Sequence, residues 1–132
     1  MRILLVEDEV LIALEQRLYL ESVGHEVIGP AATPTEAQAL AIAAAPDLAL
    51  VDVHLAQGSC GIDAARLLAA CGIPCLYITA FREEVQAGRA AGLGFLTKPF
   101  SESALLAAVA AVIAVLAGES PRNLPQTMEL FA

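Results

Sequence analysis

The hydrophobic residues of the chain fall into short continuous runs that are separated by longer, alanine-rich stretches. The short runs lack the alternation of apolar and polar residues that marks a strand with one face in water. They suit strands that are buried on both faces, as in a parallel sheet. The sequence therefore predicts five strands, over residues 3–6, 26–29, 48–51, 75–78 and 94–97.

The stretches between these strands have helical periodicity and suitable residues at their ends. Thr33 and Ser101 are N-cap residues by type and position, and Pro34 suits the first turn of a helix. Glycine follows most of the periodic stretches, as is common at helix C-termini. The sequence predicts five helices, over about residues 9–23, 34–45, 62–70, 82–91 and 101–117.

Strands and helices alternate along the chain, which predicts a three-layer α/β domain around a parallel sheet. In the first helix the apolar residues recur on one side, and we expect that side to face the core. The residues expected there are Val10, Leu11, Ala13, Leu14, Leu18 and Val23.

Composition narrows the class of protein. With 132 residues, of which 58% are hydrophobic and 17% charged, the chain is expected to form one folded domain. The longest apolar stretch, residues 104–117, is shorter than the roughly 20 residues needed to cross a bilayer. The apolar run before Glu7 is too short for a secretory signal, so we expect a cytoplasmic protein.

The charge balance excludes two classes of partner. A net charge of -8 leaves no basic surface to bind nucleic acid directly or to adhere to an anionic membrane. Cys60, Cys71 and Cys75 are odd in number and lack C-x-x-C spacing, which favours reduced thiols over disulfides or a metal site.

Chemically active residues follow four of the predicted strands. Glu7 and Asp8 follow the first strand, Asp52 the third, Thr79 the fourth and Lys98 the fifth. Because the carboxyl ends of parallel strands share one edge of a sheet, where α/β proteins bind ligands, we expect these side chains to converge. Each has an ordinary alternative, since an acid or a hydroxyl there often caps the next helix and a lysine is often solvated. Their joint position favours a shared site.

The residue types at this edge indicate phosphoryl chemistry. Converging carboxylates repel one another unless a cation joins them, and Mg²⁺ binds carboxylates together with water and phosphate oxygens. A carboxylate in such a site can attack phosphorus and form an aspartyl phosphate. Asp52 is the candidate nucleophile, Glu7 and Asp8 the candidate metal ligands, and Thr79 and Lys98 the candidate donors to the phosphoryl oxygens.

These residues lie in four motifs, ILLVEDE at 3–9, LVDV at 50–53, ITA at 78–80 and KPF at 98–100. With them the chain resembles the receiver domain of bacterial two-component response regulators over about residues 1–118. The resemblance implies a flavodoxin-like fold with strand order 2-1-3-4-5 and a cis bond between Lys98 and Pro99. It also implies that Asp52 accepts a phosphoryl group from a histidine kinase or a histidine phosphotransferase.

Further site roles are implied by the same resemblance. The backbone carbonyl of His54 joins Glu7, Asp8 and Asp52 as a Mg²⁺ ligand. Thr79 and Phe95 form a switch that changes the partner-binding surface of the fourth helix, the fifth strand and the fifth helix (the α4-β5-α5 face of receivers). His54 and Phe81 lie at positions expected to tune the lifetime of the phosphate.

The loop at 52–63 resembles that of alphaproteobacterial PhyR-like regulators. Because the chain begins at its first strand and has no DNA-binding segment after residue 118, we expect a stand-alone, single-domain regulator. Residues 119–132 are expected to form a short, loosely ordered tail.

Several alternatives stay open at this point. The chain could serve as a phosphate sink or as an interaction module that is never phosphorylated, and a homodimer is compatible with either. A phosphatase of the haloacid dehalogenase type is disfavoured because it would have Asp where His54 stands. A nucleotide-binding flavodoxin-like protein is disfavoured because the acids at 7–9 would repel phosphate. We therefore expect a phosphoacceptor that catalyses only its own phosphorylation and dephosphorylation.

Overall fold

The structure is a computed structural model that describes residues 1–131. Its strands are β1 (Arg2–Val6), β2 (Glu26–Ala31), β3 (Leu48–Asp52), β4 (Cys75–Thr79), β5 (Gly94–Thr97) and β6 (Met128–Leu130). Its α-helices are α1 (Val10–Glu21), α2 (Pro34–Ala44), α3 (Gly61–Ala70) and α4 (Glu102–Leu116). Two segments, Ala56–Gly58 and Arg82–Ala91, are 3-10 helices.

The sheet has the order β2-β1-β3-β4-β5-β6. The first five strands are parallel, which confirms the predicted flavodoxin-like order 2-1-3-4-5, and β6 runs antiparallel to β5. The predicted N-caps are also confirmed, since the Thr33 and Ser101 side chains accept from the backbone N–H groups of Glu36 and Ala104. The Lys98–Pro99 bond is cis, as expected, and so is Gly29–Pro30.

Two apolar cores lie on opposite faces of the sheet. One packs the sheet against α2, α3 and the 3-10 helix Arg82–Ala91, and the other packs it against α1 and α4. Successive residues of one strand point into different cores, as Leu4 and Leu5 of β1 do. All five residues of β3 are buried. The central strand therefore holds Asp52 on a rigid support.

The predicted buried side of α1 is wrong for every residue of the predicted set except Ala13. Ala13, Gln16 and Leu20 face the core, whereas Val10, Leu11, Leu14, Leu18 and the following Val23 are exposed. The helix is apolar around most of its circumference, so periodicity alone cannot select the side that meets the sheet.

The segment Arg82–Ala91 is a 3-10 helix where the sequence predicts an α-helix. The hydroxyl of Tyr77, in β4, donates to the carbonyl of Gly88 at 2.8 Å. In an α-helix that carbonyl would accept from Gly92, but the Gly92 N–H donates to Arg89 instead. A buried tyrosine in the neighbouring strand therefore favours the tighter winding.

The C-terminal tail is more ordered than the sequence predicts. Residues Met128–Leu130 pair with β5, and the N–H of Phe131 donates to the carbonyl of Leu93 at 2.9 Å. A Cβ atom on Gly94 would lie 2.2 Å from the carbonyl oxygen of Glu129, so glycine permits this close approach. Among the described residues, no helix is long and apolar enough to cross a membrane.

Candidate phosphoryl-acceptor site

The predicted site residues converge at the carboxyl edge of the sheet. Glu7 and Asp8 follow β1, Asp52 ends β3, Thr79 ends β4 and Lys98 follows β5. The structure brings the carboxylates of Glu7, Asp8 and Asp52 together, with one oxygen from each within 4.8 Å of the others. Oxygen ligands with this charge fit Mg²⁺, which prefers a few carboxylates and completes its shell with water.

Lys98 is bound into the acidic cluster. Its Nζ lies 2.6 Å from Oδ2 of Asp52 and 3.1 Å from Oε1 of Glu7, and its side chain is 19% exposed. Burial alone would lower the pKa of Lys98, but hydrogen bonds and charge from Asp52 and Glu7 outweigh it, and the pKa is raised. The ammonium is therefore charged at neutral pH and is not a solvated surface lysine.

Glu7 is the most strongly perturbed acid of the site. Burial, followed by the neighbouring Asp52 carboxylate, raises its pKa from 4.5 to about 8, against a smaller opposing effect of Lys98. Three acids and one ammonium leave excess negative charge at a site where Glu7 and Asp52 are buried, and protonation of Glu7 relieves it. A divalent cation held by the three carboxylates would also relieve it.

Thr79 is not the N-cap of the following 3-10 helix, whose N-cap position is taken by Phe81. The Thr79 hydroxyl accepts from the Phe81 N–H at 3.2 Å. It lies within donating distance of the Phe81 carbonyl at 3.1 Å and of Glu84 Oε2 at 3.2 Å. Asp8 and Glu9 also have no capping role, since α1 begins without a side-chain cap.

The backbone of His54 contacts Asp52, whereas its side chain contacts Glu84. The His54 N–H donates to Oδ1 of Asp52 at 3.0 Å, while Nε2 lies 2.8 Å from the Glu84 carboxylate. A cleft of about 200 Å³ opens above Asp52 and is lined by Asp8, Glu9, Asp52, His54, Leu55, Ala80 and Lys98. Phe81 does not line this cleft and is 60% exposed.

The family model of the response regulator receiver domain matches residues 3–110 of the chain. The chain belongs to this family. Its members are signalling domains of two-component systems, and the receiver described here shares their three-layer α/β fold.

Two curated relatives are similar to this receiver over most of its length. The phyllosphere-induced regulator PhyR of Methylorubrum extorquens is 41% identical over 110 residues, which cover 81% of this chain and 41% of PhyR. The transcriptional regulatory protein PdtaR of Mycobacterium tuberculosis is 40% identical over 112 residues, which cover 82% of this chain and 54% of PdtaR. This chain thus spans about half the length of the curated relatives it matches.

A solved structure supports the same assignment. The signal receiver domain of a modulated diguanylate cyclase from Desulfovibrio desulfuricans superposes with a TM-score of 0.74 at 35% identity. The superposition covers 82% of this receiver and 89% of the other chain.

The predicted switch residue Phe95 lies in β5, away from the acidic cluster. It is 3% exposed, and its ring centroid lies 6.1 Å from that of Phe131 in the tail. The Arg82 guanidinium lies 5.7 Å from the Phe95 ring centroid and pairs with Glu129 of β6 at 2.9 Å. The tail of this receiver therefore covers the side of β5 that carries Phe95.

Two residues near the site were not found by the sequence reasoning. Glu84 bonds to both Thr79 and His54, but a second acid in a charged pair, Glu83-Glu84, carries no signal that separates it from its neighbour. Gly61 packs directly against the backbone of Asp52. A glycine at the start of a helix, nine residues after the candidate nucleophile, was a findable signal.

Proposed function

We propose that this receiver is a phosphoryl-accepting switch in a two-component pathway, with Asp52 as the acceptor. The observation that carries the proposal is that the Asp52 carboxylate contacts the Lys98 ammonium and clusters with the acids Glu7 and Asp8. An isolated structural aspartate needs no such surroundings. A phosphoryl acceptor needs cations beside it, because the attacking carboxylate and the incoming phosphoryl group are both anionic. Lys98 is one such cation, and Glu7 and Asp8 can hold a metal ion as the second.

The proposed reaction is transfer from a phosphohistidine of a sensor histidine kinase or a histidine phosphotransferase. A carboxylate oxygen of Asp52 forms a bond to phosphorus, and the phosphorus–nitrogen bond breaks with its electron pair left on the imidazole. Hydrolysis of the resulting acyl phosphate returns Asp52 and inorganic phosphate. The cleft above Asp52 is the route by which the phosphohistidine reaches the acceptor.

We assign Mg²⁺ to Glu7, Asp8, Asp52 and the backbone carbonyl of His54. When bound, the ion neutralises charge on the carboxylates and on the phosphoryl oxygens. Lys98 contributes the second cation, and its 2.6 Å contact with Asp52 keeps the ammonium within reach of the phosphoryl group. Thr79 supplies a hydroxyl donor once it turns towards that group.

The output is a change at the surface formed by the 3-10 helix Arg82–Ala91, β5 and α4, which binds a downstream protein. Phosphorylation adds charge and acceptor oxygens at Asp52, and Thr79 and Phe95 transmit the change. Because β6 pairs with β5, Glu129 and Phe131 belong to this surface too. The partner therefore contacts the tail as well as the 3-10 helix Arg82–Ala91.

Intact mass spectrometry after incubation with acetyl phosphate tests the proposal. We expect a gain of one phosphoryl group that requires Mg²⁺ and is lost in Asp52→Asn. Asp63→Asn, an exposed aspartate of α3, is the matched control and should be phosphorylated like the wild type. Absence of any gain, together with absence of Mg²⁺ binding in calorimetry, would favour an interaction module that is never phosphorylated.

A further inference from the structure

A second polar cluster lies next to the acceptor site and is centred on Glu84. Its carboxylate lies 2.8 Å from Nε2 of His54 and 3.2 Å from Oγ1 of Thr79. Both neighbours flank Asp52, since His54 follows it by two residues and Thr79 ends the adjacent strand. The Glu84 side chain is 29% exposed and belongs to the 3-10 helix Arg82–Ala91.

The Glu84 carboxylate is one of two acceptors within reach of the Thr79 hydroxyl. A hydroxyl group has one hydrogen to donate, and the two acceptors within reach are the Phe81 carbonyl and the Glu84 carboxylate. The carboxylate is the stronger acceptor because it is charged. Within residues 1–131, Thr79 donates to neither oxygen of Asp52.

We propose that Glu84 is a positioning residue that holds the Thr79 hydroxyl and the His54 ring in the unphosphorylated protein and competes with a phosphoryl group for Thr79. The inference rests on the proposed role of Asp52 as acceptor. A phosphoryl oxygen and the Glu84 carboxylate need the same hydroxyl hydrogen, so binding of one requires release by the other. Their like charges add to the competition.

A change at Glu84 can reach the proposed partner-binding surface through Arg82. Glu84 lies two residues after Arg82, which contacts the Phe95 ring and pairs with Glu129 of the tail. A shift of this short helix when Glu84 loses Thr79 therefore changes contacts on the surface that we assign to the partner.

The test measures the affinity for beryllofluoride, used as a phosphoryl mimic, by calorimetry in excess Mg²⁺. Glu84→Ala removes the acceptor and the charge, and Glu84→Gln removes the charge but keeps an acceptor oxygen. We expect Glu84→Ala to bind about three- to tenfold more tightly than the wild type, with Glu84→Gln between them. Glu83→Gln, the exposed neighbour, is the matched control and should bind like the wild type.

A gain in affinity separates positioning from simple structural support, because a damaged fold would bind the mimic more weakly. Side-chain couplings of Thr79 in the mimic-free protein, measured by NMR, provide a second readout, and we expect Glu84→Ala to change its χ1 distribution. A double-mutant cycle with His54→Ala should also show a smaller gain from Glu84→Ala than the wild-type background does.

Equal or weaker binding by Glu84→Ala, or unchanged Thr79 couplings, would overturn the role of Glu84 while the acceptor function stands. Failure of the wild type to bind beryllofluoride would overturn both proposals together. The two failures are therefore distinguishable.

Discussion

A Cβ atom on Gly61 would lie 1.8 Å from the carbonyl oxygen of Asp52, a distance at which no side chain fits. The N–H of Gly61 also donates to the carbonyl of Val53 at 2.7 Å. The start of α3 is thus packed against the backbone of the proposed acceptor.

Gly61→Ala is therefore expected to displace Asp52 and to slow its phosphorylation by acetyl phosphate. The forced shift should also lower the free energy of unfolding by about 1–3 kcal/mol, the usual range for overpacking. Urea unfolding and the rate of mass gain measure the two effects. Asp63→Ala in the same helix is the control, and wild-type behaviour of Gly61→Ala in both assays would contradict this account.

The raised pKa of Glu7 predicts how the free energy of unfolding varies with pH in the absence of metal. Its pKa is raised from 4.5 to about 8 by burial and by Asp52, so between these values the folded state holds a proton that the unfolded state has lost. The contribution of Glu7 to the free energy of unfolding is fully present below about pH 4.5 and is lost as the pH rises to about 8.

Urea unfolding in a chelator, from about pH 5 to about pH 8, tests this sign. The wild type should lose stability relative to Glu7→Gln as the pH rises, whereas the exposed control Glu9→Gln should follow the wild type. A constant difference between wild type and Glu7→Gln across the range would show that Glu7 does not titrate there.

The affinity for Mg²⁺ should depend on whether the Glu7 carboxyl is protonated. Because the ion needs an ionised Glu7, binding below about pH 8 displaces a proton, and the affinity should rise by up to about tenfold for each pH unit. Calorimetric titration with Mg²⁺ at several pH values measures this, including the proton released. Glu7→Gln should bind more weakly and with a flatter pH dependence. An affinity that does not change with pH would exclude Glu7 as the titrating ligand.

Gly94→Ala is expected to separate the tail from β5, because its Cβ would lie 2.2 Å from the Glu129 carbonyl oxygen. The N–H groups of Thr97 and Phe131, which donate to Thr127 and Leu93, should then lose protection in amide hydrogen exchange. Glu129→Gln is the milder control.

Glu129→Gln removes only the ion pair with Arg82. Because the Arg82 and Glu129 side chains are 63% and 43% exposed, this change should lower the free energy of unfolding by less than about 1 kcal/mol. If the amides of Gly94→Ala stay as protected as those of the wild type, the tail tolerates the extra atom and the close-approach argument fails.

The acidic cluster could be predicted from the sequence because the geometry of a parallel sheet brings its residues together. Residues that follow parallel strands share one edge, so Glu7, Asp52 and Lys98 meet whatever the details of packing. The strand order, by contrast, was implied by the resemblance to receiver domains and not by this geometry. No such rule selects Glu84 over Glu83, since the choice depends on how the 3-10 helix lies against Thr79.

The errors in the predicted elements have long-range causes. The winding of Arg82–Ala91 depends on the Tyr77 hydroxyl, which lies in another strand. Strand β6 depends on a glycine more than thirty residues earlier in the chain, at position 94. In α1, apolar residues on several sides left the choice of buried face to the packing of Ala13 and Leu20 against the sheet.

The short strand β6 has a further consequence for the sheet as a whole. An exposed edge strand invites pairing with other chains, and proteins limit this with proline or with very short strands. At one edge, β2 contains Pro30, which has no N–H to offer, and at the other edge β6 is three residues long. Without residues 120–131 the edge would be β5, whose N–H and C=O groups would be open to a foreign strand. The tail thus also protects this receiver from edge-to-edge aggregation at high concentration.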